Sequence, residues 1–354
     1  MKKKILIASG GSGGHIIPAT IFYDFLKDNF QPIISSDKRG INYLDKKKYD
    51  LKIIDTPQIF EKKIYLIFKL FLIFALIIKS IIFLKNEKIK KIISTGGYSP
   101  IPLCIAGLLL RIDLYIYEPN LVIGKSNKLF LSKCEKIFVH SKKVKNFPYD
   151  LKKKTILISP LVRQKFYQKK RKKNELFKII IIGGSQGANK FDYLFHDIFY
   201  KISKKIKLEI IHQTKKDNIS FLKNFYNKNN IKSNIFSFKK NILNLLYNCD
   251  FCITRAGAST LGELLILKIP FLTIPLPSSA DNHQYENGKH FLKLGCCWML
   301  TENQISKIRL YNFLKKIIID RKNLIKKNNN IIKLNKNISL NSQKKIILET
   351  INEN

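Results

Sequence analysis

One pattern, written twice, constrains this chain more than anything else. A short apolar run leads straight into a glycine-rich loop and then into a helix-forming stretch. The first instance is residues 5–8 followed by Gly10-Gly11-Ser12-Gly13-Gly14-His15, and the second is residues 177–182 followed by Gly183-Gly184-Ser185-Gln186-Gly187. More β-branched runs follow the first, at 33–35, 92–94, 114–117, 137–140 and 156–159, and the second, at 208–212, 235–238, 251–254 and 271–274. Strands that alternate with helices require crossover connections, so each half reads as a parallel, doubly wound α/β sheet.

The length of 354 residues accommodates two such units. A Lys-rich interval, 165–173, separates them, and a closing helix with Ile347 and Ile351 one turn apart returns to the first. The expected domains are therefore 1–160 plus about 335–354, and 161–334.

Hydrophobic residues make up 45% of the chain, which excludes wholesale disorder. Lys and Arg number 65 against 25 Asp and Glu, a net charge of +40 that raises nucleic acid, an anionic membrane or a lysine-written solvated surface. Lys, Ile and Asn dominate everywhere, segments that must be core included, so drift towards AT-rich codons is the preferred reading and no nucleic-acid partner is expected. The six cysteines show neither disulfide-framework nor zinc spacing and read as buried thiols in a reducing compartment. Residues 64–84 are apolar except for Lys69, Lys79 and Ser80, long enough to cross a bilayer. A single crossing would split one sheet across two faces of a membrane. The stretch is therefore expected to be a largely buried crossover helix pair, with contact of one face with a membrane surface as the alternative.

The chemistry sits in loops. Glycines before a helix let the backbone approach a ligand closely, and the helix N-terminus offers unpaired N–H groups to a phosphate. The first loop has Ile16 where a dinucleotide fingerprint needs its third glycine, although Asp37 keeps a nicotinamide-dependent dehydrogenase in play. Two such loops in one chain suggest two phosphorylated ligands. A third cluster, Arg255 to Glu263, offers small residues for close approach, the Thr260 hydroxyl at a helix start and the Glu263 carboxylate for a ribose diol. His15 is the candidate general base, the alternative being a ring that only holds the loop or an acceptor phosphate. No Asp-x-Asp occurs, so neither a bridging metal nor any other cofactor is expected.

The ordered set GGSGGH (10–15), TGGY (95–98), GGSQGA (183–188), HQT (212–214), RAGASTLGE (255–263) and DNHQYEN (281–287) resembles the MurG family, UDP-N-acetylglucosamine transferases that complete the lipid-linked peptidoglycan precursor. The resemblance implies a GT-B fold of two Rossmann-like parallel-sheet domains facing a deep cleft. It implies inverting transfer of GlcNAc from UDP-GlcNAc to the 4-hydroxyl of MurNAc-(pentapeptide)-pyrophosphoryl-undecaprenol. The second domain would hold the donor and the first the acceptor. Position by position it assigns Ser12, Gly13 and Gly14 to the donor side of the first loop, Asn120 to a contact with the donor, and Arg163 and Ser185 to the nucleotide diphosphate. Lys239 would meet uracil through its backbone; Ala258, Ser259, Thr260, Leu261, Gly262 and Glu263 would hold ribose and diphosphate. Gln284, with Asn287, would read the GlcNAc hydroxyls. Ser12 stands where the family commonly has Thr, and Pro119 where it has Gln. The resemblance also implies a peripheral enzyme on the cytoplasmic face of the inner membrane, working beside other cell-wall synthesis proteins. Rival readings are another GT-B UDP-sugar enzyme, such as a lipid glycosyltransferase or an epimerase, and a basic nucleic-acid-binding protein.

Overall fold

The computed structural model describes residues 2–56, 66–166, 176–183, 189–237, 242–336 and 338–353. The chain divides into two compact units, Met1–Arg163 with Leu340–Asn354, and Gln164–Ser339.

The first unit runs β1 (Lys4–Ala8), α1 (Gly13–Leu26), β2 (Gln31–Ser36), α2 (Lys38–Ile41), β3 (Leu51–Ile53), α3 (Leu66–Asn86), β4 (Lys91–Ser94), α4 (Ile101–Leu109), β5 (Asp113–Glu118), α5 (Lys125–Lys128), β6 (Lys136–Val139) and β7 (Thr155–Leu157). Its sheet has the order β3-β2-β1-β4-β5-β6-β7, and every pair is parallel. Helices cover both faces of such a sheet, so its central strands are apolar throughout rather than alternating. Ile5, Leu6, Ile7 and Ala8 of β1 are all fully buried.

The second unit runs β8 (Phe177–Ile182), α6 (Asn189–Ser203), β9 (Leu208–Gln213), α7 (Ile219–Lys228), β10 (Lys232–Phe236), α8 (Leu243–Tyr247), β11 (Phe251–Thr254), α9 (Ala258–Ile266), β12 (Phe271–Thr273), α10 (His283–Lys293), β13 (Cys297–Met299), α11 (Lys307–Ile319) and α12 (Lys322–Asn335). Its order, β10-β9-β8-β11-β12-β13, is again all parallel. Helix α13 (Leu340–Asn352) then returns to the first unit, where Ile347 and Ile351 are fully buried in the core beside Phe22 and Tyr117. Gln343 Oε1 accepts the Ser159 N–H there, at 2.7 Å. The two Rossmann-like parallel sheets are those the sequence leads one to expect.

The connectivity positions the site. In the first sheet the chain runs outward from β1 to β2 and β3, then reverses to the other side of β1 with β4. In the second it runs outward from β8 to β9 and β10, then reverses with β11. Crevices form beyond the carboxyl ends of the strands where the order reverses, between β1 and β4 and between β8 and β11. Those strands feed GGSGGH, TGGY, the second glycine loop and RAGASTLGE.

The stretch at 64–84 departs from expectation. From Leu66 to Asn86 it is one continuous helix rather than a pair. Ile73, Phe83 and Leu84 are buried, while Phe71, Phe74, Ile78 and Ile82 are exposed, Phe71 at 68% and Phe74 at 60%. A helix apolar all round needs cover all round, and here the first unit supplies it on one face only. The strands before and after α3 lie in the same sheet, so the helix does not carry the chain across a bilayer. Among the fully described residues no helix is long and apolar enough to cross a membrane.

Candidate functional site

In the first unit the two glycine motifs pack on each other. Gly10 N–H donates to the Gly96 carbonyl at 2.8 Å. Gly96 and Gly97 have φ of +90° and +86°, a region side chains rarely enter, and a Cβ on Gly97 would lie 2.7 Å from Gly10 Cα. TGGY is thus the platform on which GGSGGH rests.

That platform also sets the candidate base. His15 Nδ1 lies 2.8 Å from the Thr95 carbonyl oxygen, while Thr95 Oγ1 donates to the His15 carbonyl at 3.0 Å. A carbonyl can only accept, so Nδ1 carries the proton of the neutral ring and the basic lone pair falls to Nε2. The contact at Nδ1 is the loop-holding role that the sequence offered as the alternative for His15.

Ser12 is the N-cap of α1 in extended conformation, and its side chain makes no capping hydrogen bond. Ser12 and Gly14 are exposed and Gly13 half-buried, with nothing within 4 Å of a Cβ built on Gly13. The open first turn holds no acidic side chain, which suits an anion at the positive end of the helix.

Asn120 is organised by a carboxylate that sequence reasoning overlooked. Buried Glu118 ends β5, and its Oε1 accepts from Asn120 N–H at 3.1 Å and from Asn120 Nδ2 at 3.0 Å. Its Oε2 accepts from Gly124 N–H at 2.8 Å and from Asn127 Nδ2 at 2.9 Å. Four donors compensate the cost of burying the charge and lock residues 118–127 into one loop. Only its adjacency to Pro119-Asn120 signalled it in the sequence.

Asp37 has a structural role. Its buried side chain caps α2 by accepting from Gly40 N–H at 2.9 Å, and it also meets Arg39 Nη2 at 3.0 Å and the Tyr98 hydroxyl at 3.3 Å. The feature that kept a nicotinamide reading in play is thus engaged inside the protein.

In the second unit Gly257 caps α9, which presents Ala258, Ser259 and Thr260 half-exposed in its first turn. Leu261, Gly262 and Glu263 follow, all buried. Gln284, on the first turn of α10, joins two loops: its Oε1 accepts from Ala256 N–H at 3.2 Å and from Leu276 N–H at 3.0 Å. Asn287 is buried one turn later and donates through Nδ2 to the Ala256 carbonyl at 3.1 Å, a supporting position behind the same loop. Arg163 is half-buried at the end of the first unit. Ser185 and Lys239 lie outside the described residues.

The HQT motif is tied to α6 through Asp192. His212 is fully buried with Nε2 3.1 Å from Asp192 Oδ1. Thr214 Oγ1 and Asn218 Nδ2 both donate to Asp192 Oδ2 at 2.6 Å. Burial alone would raise the Asp192 pKa, but hydrogen bonds from His212, Thr214 and Asn218 outweigh it and hold the carboxyl below its ordinary value. Burial pushes His212 down, against the pull of Asp192. The cysteine reading holds: all six are buried free thiols, and burial raises Cys104 to about 12.

Comparison with known proteins identifies the family. Residues 5–139 match the glycosyltransferase family 28 N-terminal domain and residues 178–345 the family 28 C-terminal domain. A UDP-N-acetylglucosamine–N-acetylmuramyl-(pentapeptide) pyrophosphoryl-undecaprenol N-acetylglucosamine transferase of Pelagibacter ubique is 42% identical over 360 residues, covering 100% of both chains. The protein of the same name from Rickettsia bellii is 32% identical over 332 residues, 91% of this chain and 92% of its own. The crystal structure of Acinetobacter baumannii MurG superposes with a TM-score of 0.77 over 98% of this chain and 99% of that one, at 19% identity, a likeness of fold. The chain belongs to glycosyltransferase family 28 and, within it, to the MurG transferases.

Proposed function

We propose that this protein transfers GlcNAc from UDP-GlcNAc to the 4-hydroxyl of the muramyl sugar of MurNAc-(pentapeptide)-pyrophosphoryl-undecaprenol, with inversion at the anomeric carbon. One observation carries the reading: the family's motifs fall on the strand-order reversals of both sheets, in a chain that matches a transferase of that name end to end. The second unit is the donor domain. Ala258 to Glu263 hold ribose and diphosphate, Gln284 holds the GlcNAc hydroxyls, and Ser185, Lys239 and Arg163 add to the nucleotide diphosphate and uracil contacts. The first unit takes the acceptor, with Ser12, Gly13, Gly14 and Asn120 completing the donor side.

In the reaction His15 Nε2 removes the proton of the 4-hydroxyl as its oxygen attacks the anomeric carbon. The bond to the UDP oxygen breaks, and its charge is met by helix N-termini, Ser185 and Arg163. The Thr95 carbonyl stabilises the imidazolium that forms, because Nδ1–H already points at it.

The acceptor is lipid-linked, so the enzyme works at a membrane surface, peripherally and on the cytoplasmic side. The face of α3 that carries Phe71, Phe74, Ile78 and Ile82 supplies the apolar contact, flanked by exposed Lys79 and Lys85. Each such lysine contributes about 1 kcal/mol near anionic headgroups.

Two substitutions test the roles. His15→Ala is expected to lower kcat by about 10²–10⁴-fold with little change in donor affinity. Glu263→Ala is expected to raise KM for UDP-GlcNAc by about tenfold or more, the ribose hydrogen bonds being charge-assisted. Near-normal turnover in the first or an unchanged KM in the second removes that residue from the site.

A further inference from the structure

Beyond the donor contacts, Glu302 stands outside every motif yet pairs with Arg255, the first residue of RAGASTLGE, and with Lys190. It begins the short 3-10 turn Glu302–Gln304 after β13. Its Oε1 pairs with Arg255 Nη2 at 2.8 Å and its Oε2 with Lys190 Nζ at 2.6 Å. The Arg255 side chain is only 9% exposed and that of Glu302 17%, whereas the Lys190 side chain is 64% exposed. The buried partner is therefore Arg255. Its Nη1 donates to the carbonyls of Ile274 and Pro275, at 3.1 and 3.3 Å, and its guanidinium lies 4.5 Å from the Phe191 ring centroid.

Those contacts fix the spacing of two loops. Arg255 directly precedes Ala256, and Ile274-Pro275 directly precede Leu276. The N–H groups of Ala256 and Leu276 are the two that converge on Gln284 Oε1. A carbonyl oxygen has two lone pairs, so both are taken, and Gln284 is left to address a ligand through its Nε2 hydrogens. Without the Glu302 carboxylate, Arg255 would be a buried cation lacking its counter-charge, and such a group turns towards water at the expense of its other contacts. Lys190, Phe191, Ile274 and Glu302, all of them partners of this ion-pair cluster, line a cavity of about 280 Å³.

We propose that Glu302 is a positioning residue for the donor sugar: by neutralising Arg255 it fixes the two loops that saturate the Gln284 carbonyl, so that Gln284 meets the sugar as a hydrogen-bond donor only. The proposal rests on the UDP-GlcNAc reading above and adds a residue and a polarity to it.

The test compares Glu302→Ala, Gln284→Ala and the double variant, titrated calorimetrically with UDP-GlcNAc and with UDP, alongside steady-state kinetics. Glu302→Ala is expected to weaken UDP-GlcNAc binding about tenfold, the scale of one sugar hydrogen bond, and to leave UDP within about twofold. KM for UDP-GlcNAc should rise while kcat stays within about threefold, and adding Glu302→Ala to Gln284→Ala should cost less than about twofold more. Glu302→Gln, which keeps an oxygen for Arg255, should fall between wild type and Glu302→Ala, and it carries the same comparisons if the alanine variant does not fold. Equal losses for UDP and UDP-GlcNAc, additive effects, or wild-type behaviour in Glu302→Ala would overturn the proposal. A wild-type protein that binds neither nucleotide overturns the functional reading together with it, whereas wild-type binding with indifferent variants overturns the positioning role alone.

Discussion

His15 and Thr95 show how much of the chemistry is set by single atoms. The imidazole is held at one nitrogen by a main-chain carbonyl, so no side-chain substitution at residue 95 removes that bond directly. What can be removed is the surface beneath it. Gly97→Ala places a methyl group against Gly10 and imposes a positive φ on a residue with a side chain, a cost of about 1–3 kcal/mol from the backbone alone. The expected outcome is a lower melting temperature and reduced kcat, because the loop carrying His15 must shift. An unchanged melting temperature and kcat would mean that the two loops do not support each other. His212 supplies a pH signature. Its folded-state pKa lies below the ordinary 6.5, so the unfolded chain takes up more protons as pH falls through that value, and stability drops. Asp192, also depressed, adds a loss at lower pH, below the ordinary 3.8. Denaturant midpoints measured from pH 7.5 to 5.5 should therefore fall, and His212→Gln should flatten the slope. At this scale the sequence displayed the candidate ligand contacts more readily than the residues that hold them in place. Glycines, His15 and Glu263 stand in motifs, whereas Glu118 and Glu302 act through hydrogen bonds that only the fold brings together.

Among the elements, burial decided what could be read beforehand. Central strands such as β1 and β8 are buried on both faces, so their sequences are unbroken apolar runs. The two strands that the runs did not reveal, β3 and β13, are three residues long and lie at the edges of their sheets, where hydropathy carries little signal. Edge strand β10 starts with Lys232-Ser233-Asn234, so only its apolar end was visible. Helix α3 was misread for the opposite reason. An all-apolar stretch signals the need for cover without saying whether protein or lipid provides it, and the outward stripe of Phe71 and Phe74 is left to a surface. Replacing both with Ser should leave the melting temperature nearly unchanged, since exposed positions contribute little to folding, while weakening sedimentation with anionic phospholipid vesicles by about tenfold or more. Undiminished vesicle binding would move the membrane contact elsewhere.

Over the whole molecule, two sheets built on one plan each set, beside a reversal of strand order, the strand that leads into a glycine-rich sequence. The chain closes the first of them with its last helix, whose Ile347 and Ile351 complete that core. The net charge of +40 is distributed along the entire sequence rather than gathered into a motif, which fits a solvated surface. The central claim is that this scaffold passes GlcNAc from a uridine nucleotide to a lipid-linked muramyl peptide. The direct measurement is transfer of radiolabel from UDP-GlcNAc to MurNAc-(pentapeptide)-pyrophosphoryl-undecaprenol in detergent or vesicles, with His15→Ala in parallel. Label should appear in the lipid-linked disaccharide with the wild-type protein and fall to near background with the variant. Lipid that stays unlabelled while the protein is folded and both substrates are intact would contradict the assignment.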